Sequence, residues 1–399
     1  MASGIRVAIV GAGIGGLSAA AALRRRGVDA EVFEQAPALG EVGAGVALAA
    51  NGLRLLDAIG VADALEAASS TLGGGYFQLR EDGSFISTIR APGSQGGPTR
   101  VYGVHRADLI DVLRTVVPDS VIHTGHRLVA LAQDEDGVDL TFENGATFRA
   151  DAVIGADGIH SIVRAALGFT DSPVSSGTAA YRALVPVTSP DMWEWGTSKI
   201  WIGPGRHFLV YPVRQDRLIN IVAVVPALGG EKDSWSAPGD PKELANEFAG
   251  WDPVVQDLIA RVDSTFLWGL FDRAPLPHWV DGRIALLGDA AHAMLPHLGQ
   301  GANQTMEDGF TLAAALEGVD RDGVADALKR YEGLRYDRAN TVQRVSRESG
   351  NLFDTAERGR FEDRDARLQR VGPFYAWLNA HDADSLTAPA PAPDLVPAE

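Results

Sequence analysis

The sequence predicts an α/β fold in which a parallel sheet is interleaved with a mainly antiparallel one and followed by helices. Three observations carry this. The chain opens on a strand–helix–strand pattern. Two later apolar runs, Ala152 to Gly155 and Arg283 to Leu287, end at glycine as buried parallel strands do. Residues 176–226 then hold few helix formers and many Val, Tyr and Trp, the composition of an antiparallel sheet.

The elements follow in order. Ile5 to Val10 is a continuous apolar run ending at Gly11. Gly16 to Arg26 is Ala-rich, ends on Arg24-Arg25-Arg26 and stops at Gly27, a helix whose last turn carries favourable positive charge. Ala30 to Glu34 is the second strand. Apolar spacing predicts helices over Asn51 to Ile59 and Arg106 to Val116. Strands are expected at Ser120 to Ala132, Val138 to Glu143 and Ala146 to Arg149, with turns at Asp136-Gly137 and Asn144-Gly145. The antiparallel region turns at Gly203-Pro204-Gly205. Residues 240–262, 303–316 and 323–348 read as helices. The last dozen residues, from Ala388, are rich in Pro and Ala and are expected to be loosely attached. No internal repeat is visible.

Composition sets limits. A chain of 399 residues can bury ample core. Its net charge of −17 argues against nucleic acid or anionic membrane as a partner, so a small anionic substrate would need a local basic patch. With no cysteine, disulfides, zinc thiolates, iron–sulfur clusters and thiolate nucleophiles are excluded, and no metal site is expected. No apolar run reaches about 18 residues, so no membrane span is expected. Glycines at 11, 13, 15 and 16 argue against reading residues 5–23 as a signal peptide. The chain is expected to be soluble and cytoplasmic.

Gly11-Ala12-Gly13-Ile14-Gly15-Gly16 fits the dinucleotide fingerprint. Gly11 permits the tight turn, Gly13 lets backbone reach a pyrophosphate, and Gly16 packs helix on strand. The helix N-terminus offers free N–H groups to the phosphates. Glu34, 23 residues after Gly11, can accept both ribose hydroxyls of an adenosine. Ile14, Gly15 and Gln35 complete this part of the cofactor set. The unit is a Rossmann-like one, and by itself it does not separate FAD from NAD, since both carry ADP.

Two further segments, Gly155-Ala156-Asp157-Gly158 and Gly288-Asp289-Ala290-Ala291-His292, each follow a strand. They resemble the "DG" and "GD" motifs of the single-component (group A) FAD-dependent aromatic hydroxylases, in the same order after the fingerprint. Within that family the chain is similar to the salicylate, 3-hydroxybenzoate and 6-hydroxynicotinate hydroxylases. Gly40 to Gly45, Val104 to Leu109, Ala179 to Arg182, Tyr211-Pro212 and Pro296 to Asn303 carry the likeness, which spans roughly residues 5–345. It implies a GR2-type fold like that of para-hydroxybenzoate hydroxylase. Residues 1–75, 100–175 and 276–345 would bind FAD, 76–99 and 176–275 would bind substrate, and 346–399 would form a C-terminal helical segment and tail.

The resemblance also implies residue roles. Asp289 would bond the ribityl or ribose chain of FAD, Asp157 would lie near FAD, Arg106 would reach its phosphates or ribityl chain, and Leu128 would meet adenine through backbone. Gly43 and Gly45 would let a loop lie flat near the flavin ring, with Val46 in the cofactor set. Gly299, Gly301, Ala302 and Asn303 would open a helix beneath the ring, where free N–H groups stabilise the anionic reduced flavin. His292 is expected to be structural. Arg164 is a candidate for nicotinamide-nucleotide binding, and no second Gly-rich fingerprint marks that co-substrate.

The implied chemistry is reduction of FAD by NADH or NADPH, addition of O2 at flavin C4a to give a hydroperoxide, and transfer of oxygen to a small phenolic or hydroxybenzoate-like ring. A base near the substrate hydroxyl helps, because a phenolate is the better nucleophile. His207 and Tyr211, at i and i+4 of one strand, point to one face and are the first candidates. His297 beside the ring edge is a third catalytic candidate. Tyr181 and Pro296 are expected at the substrate, with Arg182 a weaker candidate. Ala47 and Ala49-Ala50 stand where relatives carry larger or polar residues, which predicts a roomier pocket. Trp193 and Trp195 read equally as core or lid. A flavin epoxidase or natural-product tailoring oxygenase, an FAD oxidoreductase without oxygen insertion, and a nucleotide-sensing module remain alternatives. A homodimer is common among relatives, though no seam is evident.

Overall fold

The computed structural model describes residues 4–39, 43–90, 100–227, 237–355 and 361–394. Residues 40–42, part of one segment carrying the family likeness, and 91–99, part of the expected substrate region, lie outside the described residues, as do 395–399 of the tail.

The strand Arg6–Val10 is buried from Val7 onward and sits at the centre of a six-stranded sheet. Asp29–Phe33 and then Ile122–His123 lie on one side of it. Ala152–Gly155, Ile284–Leu286 and Val280–Asp281 lie on the other. All neighbours are parallel except the last pair. Apolar runs with no alternation are what a sheet covered on both faces requires. The helix Ile14–Arg25 covers it, and the helix Gly301–Leu316 packs on that one. Their contact is close because both sides are small: a Cβ on Gly309 would lie 2.9 Å from the Ala19 backbone. The two helices that the sequence assigns to the cofactor are thereby brought together.

The second sheet has eight strands. Its order is Pro238–Gly239, Thr265–Asp272, Val174–Pro186, Leu218–Pro226, Arg206–Val213, Thr197–Gly203, Gly74–Leu79 and Phe85–Arg90. It is antiparallel except where Thr197–Gly203 meets Gly74–Leu79. Period-two alternation divides its residues. Tyr181, Phe208 and Ile221 join Trp201, Phe248 and Trp193 under an outer helical layer, while Ala180, Leu209, Val222 and Val224 face inward. Trp193 is therefore core, and the Trp195 indole donates to the Pro190 carbonyl at 2.7 Å.

Several boundaries differ from the sequence reading. Ser120 to Ala132 is two strands, because Gly125 at φ 67° turns the chain. Ile122–His123 stays in the parallel sheet, whereas Leu128–Gln133 pairs with Val138–Phe142 in a three-stranded antiparallel layer completed by Thr147–Ala150. Residues 240–262 form two helices, Pro241–Glu247 and Pro253–Ile259, since Asp252 caps a new start with Pro253 at its first position. The expected helix over 323–348 runs on to Phe353. At about 1.5 Å per residue its 30 residues span about 45 Å. That length takes it from the parallel sheet, where the Tyr331 hydroxyl donates to the Leu286 carbonyl, to the inner face of the second sheet at Phe353. The helices Phe361–Leu368 and Gly372–Ala380 follow. The stretch beyond Ala388 has no helix or strand through 394. Within it the Ala390 carbonyl accepts the Trp377 indole N–H at 2.8 Å.

Candidate active site

A cavity of about 850 Å³ runs between the parallel sheet and the inner face of the second sheet. That is near the top of the roughly 300–1,000 Å³ range of small-molecule sites. One end is walled by Glu34, Gln35, Arg127 and Leu128, the middle by Gly13, Gly15, Arg106 and Asp289, and the far end by Gly45, His207, Tyr211 and Gly299. The fingerprint, the GD turn and the Gly299 turn thus open onto one channel.

The fingerprint has the geometry its glycines require. Gly11 sits at φ 107°, and a Cβ there would run into the Ala156 carbonyl oxygen, where the DG turn crosses. Gly16 lies behind the turn against the Gly11 carbonyl, off the cavity wall. Beside Gly13 there is only open space out to Arg106 Nη2, 4.0 Å from a built Cβ, so backbone N–H groups face the channel unobstructed. The Glu34 carboxylate accepts N–H groups of Ala12 at 2.9 Å and Ala36 at 2.8 Å. That fixes it at the channel wall with further lone pairs to offer.

Arg106 and Asp289 face the same stretch of channel. Burial lowers the pKa of Arg106, while Asp289 and Glu34 oppose that shift. Burial raises the carboxyl of Asp289, against the pull of His292 and Arg106. Asp157 is engaged within its own turn. It accepts from Ser161 Oγ at 2.5 Å and from the Ile162 and Val163 N–H groups at 2.7 and 3.2 Å, capping the helix Ile162–Ala166. Arg164, the candidate for the nicotinamide nucleotide, does not line the channel. It is buried, pairs with Asp171 through Nη2 at 2.8 Å and donates to the Ala290 carbonyl, so its guanidinium is turned into the protein.

At the far end Gly299 adopts φ 62° and the helix Gly301–Leu316 begins, with Gly299, Gly301 and Ala302 on the cavity wall. Asn303 is fully buried and holds this start in place. It donates to the Ala47 and Gly299 carbonyls and accepts the Ala49 N–H at 3.0 Å. Beneath lies a charge network that sequence reasoning missed. Glu307 accepts from Arg335, from Arg338 at 2.7 and 2.8 Å, and from Asn51 at 2.7 Å. Asp308 accepts from His292 Nε2 at 2.6 Å, from Arg335 and from the Gly288 N–H. The four charged side chains are essentially inaccessible. Burial pushes both carboxyls up, but the basic side chains beside them (Arg338 and Arg335 for Glu307, His292 and Arg335 for Asp308) outweigh it and hold both below the usual range. His292 belongs to this scaffold, as the sequence suggested.

The strand Arg206–Val213 turns His207, Leu209 and Tyr211 onto the cavity. The His207 ring meets His297 edge to face at 5.2 Å, and its Nδ1 lies 2.7 Å from Asp354 Oδ1. His297 fills a slot left by Gly350, where a Cβ would be 2.5 Å from its ring. Burial, with His207 and Arg347 nearby, pushes its pKa well below the ordinary value, so it is neutral at neutral pH. Burial pushes the Tyr211 hydroxyl up to about 12, partly opposed by Arg182, so it stays protonated. Pro296 lines the cavity. Tyr181 does not: alternation sends it to the outer layer and brings its neighbour Arg182 to the channel wall. This corrects the expectation for Tyr181. Ala47 and Ala49 line the wall, and Leu209, Val222, Val224 and Leu295 give this end an apolar lining.

The channel suits an extended dinucleotide with a planar ring. It offers N–H groups at the fingerprint for a pyrophosphate, a carboxylate for ribose, a cation and a buried acid at midpoint, and a helix start with an apolar chamber at the end.

The sequence matches the FAD binding domain family over residues 4–346. It is 38% identical over 385 residues to a 3-amino-4-hydroxybenzoate 2-monooxygenase of Streptomyces platensis, covering 95% of this chain and 96% of that one. It is 34% identical to a salicylate hydroxylase of Pseudomonas putida, covering 98% and 95%. Among solved structures, a salicylate hydroxylase substrate complex superposes with a TM-score of 0.82 at 31% identity, covering 98% of this chain and all of that one. HpxO of Klebsiella pneumoniae complexed with FAD and uric acid superposes with a TM-score of 0.82 at 28% identity, covering 96% and 97%.

Proposed function

The chain belongs to the FAD binding domain family and is an FAD-dependent aromatic monooxygenase, and from that premise we propose that it hydroxylates a small phenolic carboxylate of the hydroxybenzoate type. Reduced by NADH or NADPH, the flavin supplies activated oxygen from O2; the protein supplies position, proton control and exclusion of water. The observation that carries the substrate class is the far chamber. Its walls are largely apolar, and the second sheet brings His207, Tyr211 and the cation of Arg182 to it, beside His297. Relatives named for 3-amino-4-hydroxybenzoate, salicylate and 6-hydroxynicotinate act on rings bearing both a hydroxyl and a carboxylate.

In this reading the fingerprint glycines with Glu34 and Gln35 hold the ADP half. Arg106 and Asp289 hold the chain between phosphates and ring, and Gly45, Val46 and Gly299 to Asn303 frame the ring. His207 takes the substrate hydroxyl proton, Tyr211 orients the ring by its neutral hydroxyl, and His297 packs behind His207. The division into residues 1–75, 100–175 and 276–345 for FAD, 76–99 and 176–275 for substrate, and 346–399 as C-terminal segment belongs to the same proposal. So do a homodimer, which is common among relatives, and a cytoplasmic location, expected from the sequence.

The test is to screen purified holoenzyme for substrate-stimulated NAD(P)H consumption across hydroxybenzoates, hydroxypyridines and indoles, using labelled dioxygen and product mass. A hydroxylated, still aromatic product carrying one labelled oxygen is expected. An epoxide, or NAD(P)H oxidation with no label in any product, would overturn the reading in favour of a tailoring oxygenase or a simple oxidoreductase.

A further inference from the structure

The strand bearing His207 and the end of the longest helix meet at one residue. Asp354 ends the helix Val324–Phe353, its own N–H donating to the Gly350 carbonyl at 3.0 Å. The Asp354 carbonyl accepts the N–H of Gly205 at 3.0 Å, two residues before His207. Its carboxylate lies 2.7 Å from His207 Nδ1, with the two side chains 15% and 5% exposed. The carboxylate is therefore held by two backbone bonds before it meets the imidazole. Asp354 lies beyond residue 346, where the family match ends, and no motif marks it.

An ionised carboxylate only accepts hydrogen bonds. Paired with it, Nδ1 must carry a proton, which leaves Nε2 as the atom that can take one up. Among the described residues Nε2 has no protein hydrogen bond, and His207 lines the cavity. Among the described residues, the other elements around the ring bring no competing anion. Phe353 and His297 flank it, and Arg347, an electrostatic neighbour of His297, is paired with Asp272.

We infer that Asp354 is a positioning residue for the hydroxylation: it fixes the His207 tautomer so that Nε2 accepts the proton of the substrate hydroxyl. The substrate O–H bond breaks, an Nε2–H bond forms, and the electron pair stays on the phenolate oxygen. The imidazolium that results is balanced by the Asp354 carboxylate beside Nδ1. This rests on the proposed contact between His207 and the substrate hydroxyl.

The two are separable by one spectroscopic experiment on non-turning-over holoenzyme. A nitro-substituted hydroxybenzoate is titrated in, without NAD(P)H, at a pH where the free probe is mostly neutral phenol. Wild type is expected to show the phenolate band of the bound probe in difference spectra. Asp354→Asn is expected to bind the probe within about threefold of wild type and to lose the band. With substrate, its kcat should fall by about 10²-fold, the lower end of what a positioned base contributes, with KM changed far less. Asp354→Glu, which keeps a carboxylate, should restore most of the band. Absence of the band in wild type overturns the base itself and this inference with it. A band retained by Asp354→Asn overturns the positioning role alone. Should Asp354→Asn fail to hold FAD, His207→Gln carries the test, since a phenolate band that survives there also overturns the inference.

Discussion

The side-chain oxygen of Asn220 accepts the backbone N–H of Gly45 at 2.8 Å, tying the middle of the second sheet to the loop that borders the far end of the channel. Asn220 is fully buried, and a Cβ on Gly45 would lie 2.7 Å from its Cγ and 2.9 Å from the Tyr211 ring. Loop and sheet are thus fitted to each other with no room for a methyl group. Asn220→Ala leaves a buried N–H without its partner, at a cost of about 1–3 kcal/mol. It is expected to lower the melting temperature of the holoenzyme and to speed FAD loss. An unchanged melt with unchanged FAD retention would show that the loop is held by other means.

The Glu307–Asp308–Arg335–Arg338 network sets the acid limit of stability. Both carboxyls lie below their unfolded-state values, because the basic side chains beside them outweigh burial. The folded state therefore binds fewer protons than the unfolded state in acid, and the network's contribution is full above about pH 5. It is lost progressively as pH falls from the usual carboxylate range down toward the lowered native values. Glu307→Gln removes one of the two carboxylates that pair with Arg335 and the carboxylate that pairs with Arg338, and breaking such a buried pair costs about 3–5 kcal/mol. Thermal melts from pH 4 to 8 should show the variant lower throughout and with a flatter acid slope. Parallel curves would mean that other carboxylates govern the acid limb.

Asp289→Ala is expected to release FAD. The residue lines the channel opposite Arg106, and burial already disfavours its charge. Such a cost is tolerated where a ligand hydroxyl supplies the missing hydrogen bond. Gel filtration of the variant should separate protein from yellow flavin. Asp289→Asn, which can still bond a hydroxyl, should retain more. Full FAD occupancy in the alanine variant would remove Asp289 from the cofactor set.

Much of this site was readable from sequence because its motifs are backbone requirements. Gly11 and Gly299 sit at positive φ, where ordinary side chains are strained, and a Cβ on Gly11 would also strike the Ala156 carbonyl; such demands leave a mark at fixed spacing. The strand–helix–strand opening and the antiparallel region were legible from apolar periodicity. What escaped depends on register and on distant pairing. Tyr181 and Arg182 are adjacent polar residues on a strand, and composition does not say which of the two faces in. Asp354 and the Arg335–Arg338 pair lie on a long helix, where a charged residue normally signals solvent. Only the packing of that helix under the GD turn and against the second sheet reveals their partners.

His207→Ala is expected to slow turnover while FAD stays bound. The ring stands on the second sheet, away from the fingerprint and the GD turn, and its neighbours are His297, Phe353 and Asp354. Loss of a positioned base costs about 10²–10⁴-fold in rate. Steady-state kcat with a hydroxybenzoate, beside the flavin absorbance per mole of protein, checks this. Full activity would discard the assignment.

Arg182 separates two roles that its position allows. Its Nη2 donates to the Gly45 carbonyl at 2.8 Å, and its guanidinium lies 5.1 Å over the Trp268 ring. Among the described residues no carboxylate forms an ion pair with it, and its Nε has no hydrogen-bond partner. A guanidinium stays protonated even where burial lowers its pKa, as here, so the chamber holds a cation with no protein counter-ion. A substrate carboxylate would relieve that cost, and a hydrogen bond to a charged group is worth about 1.5–3 kcal/mol. Arg182→Met should therefore raise KM for a hydroxybenzoate by roughly 10- to 100-fold. The corresponding phenol without the carboxylate should be affected much less. Arg182→Lys should fall between, because an ammonium keeps the charge but not the planar fork. If methionine impairs acid and phenol alike, the arginine serves the Gly45 loop and the anion is bound elsewhere.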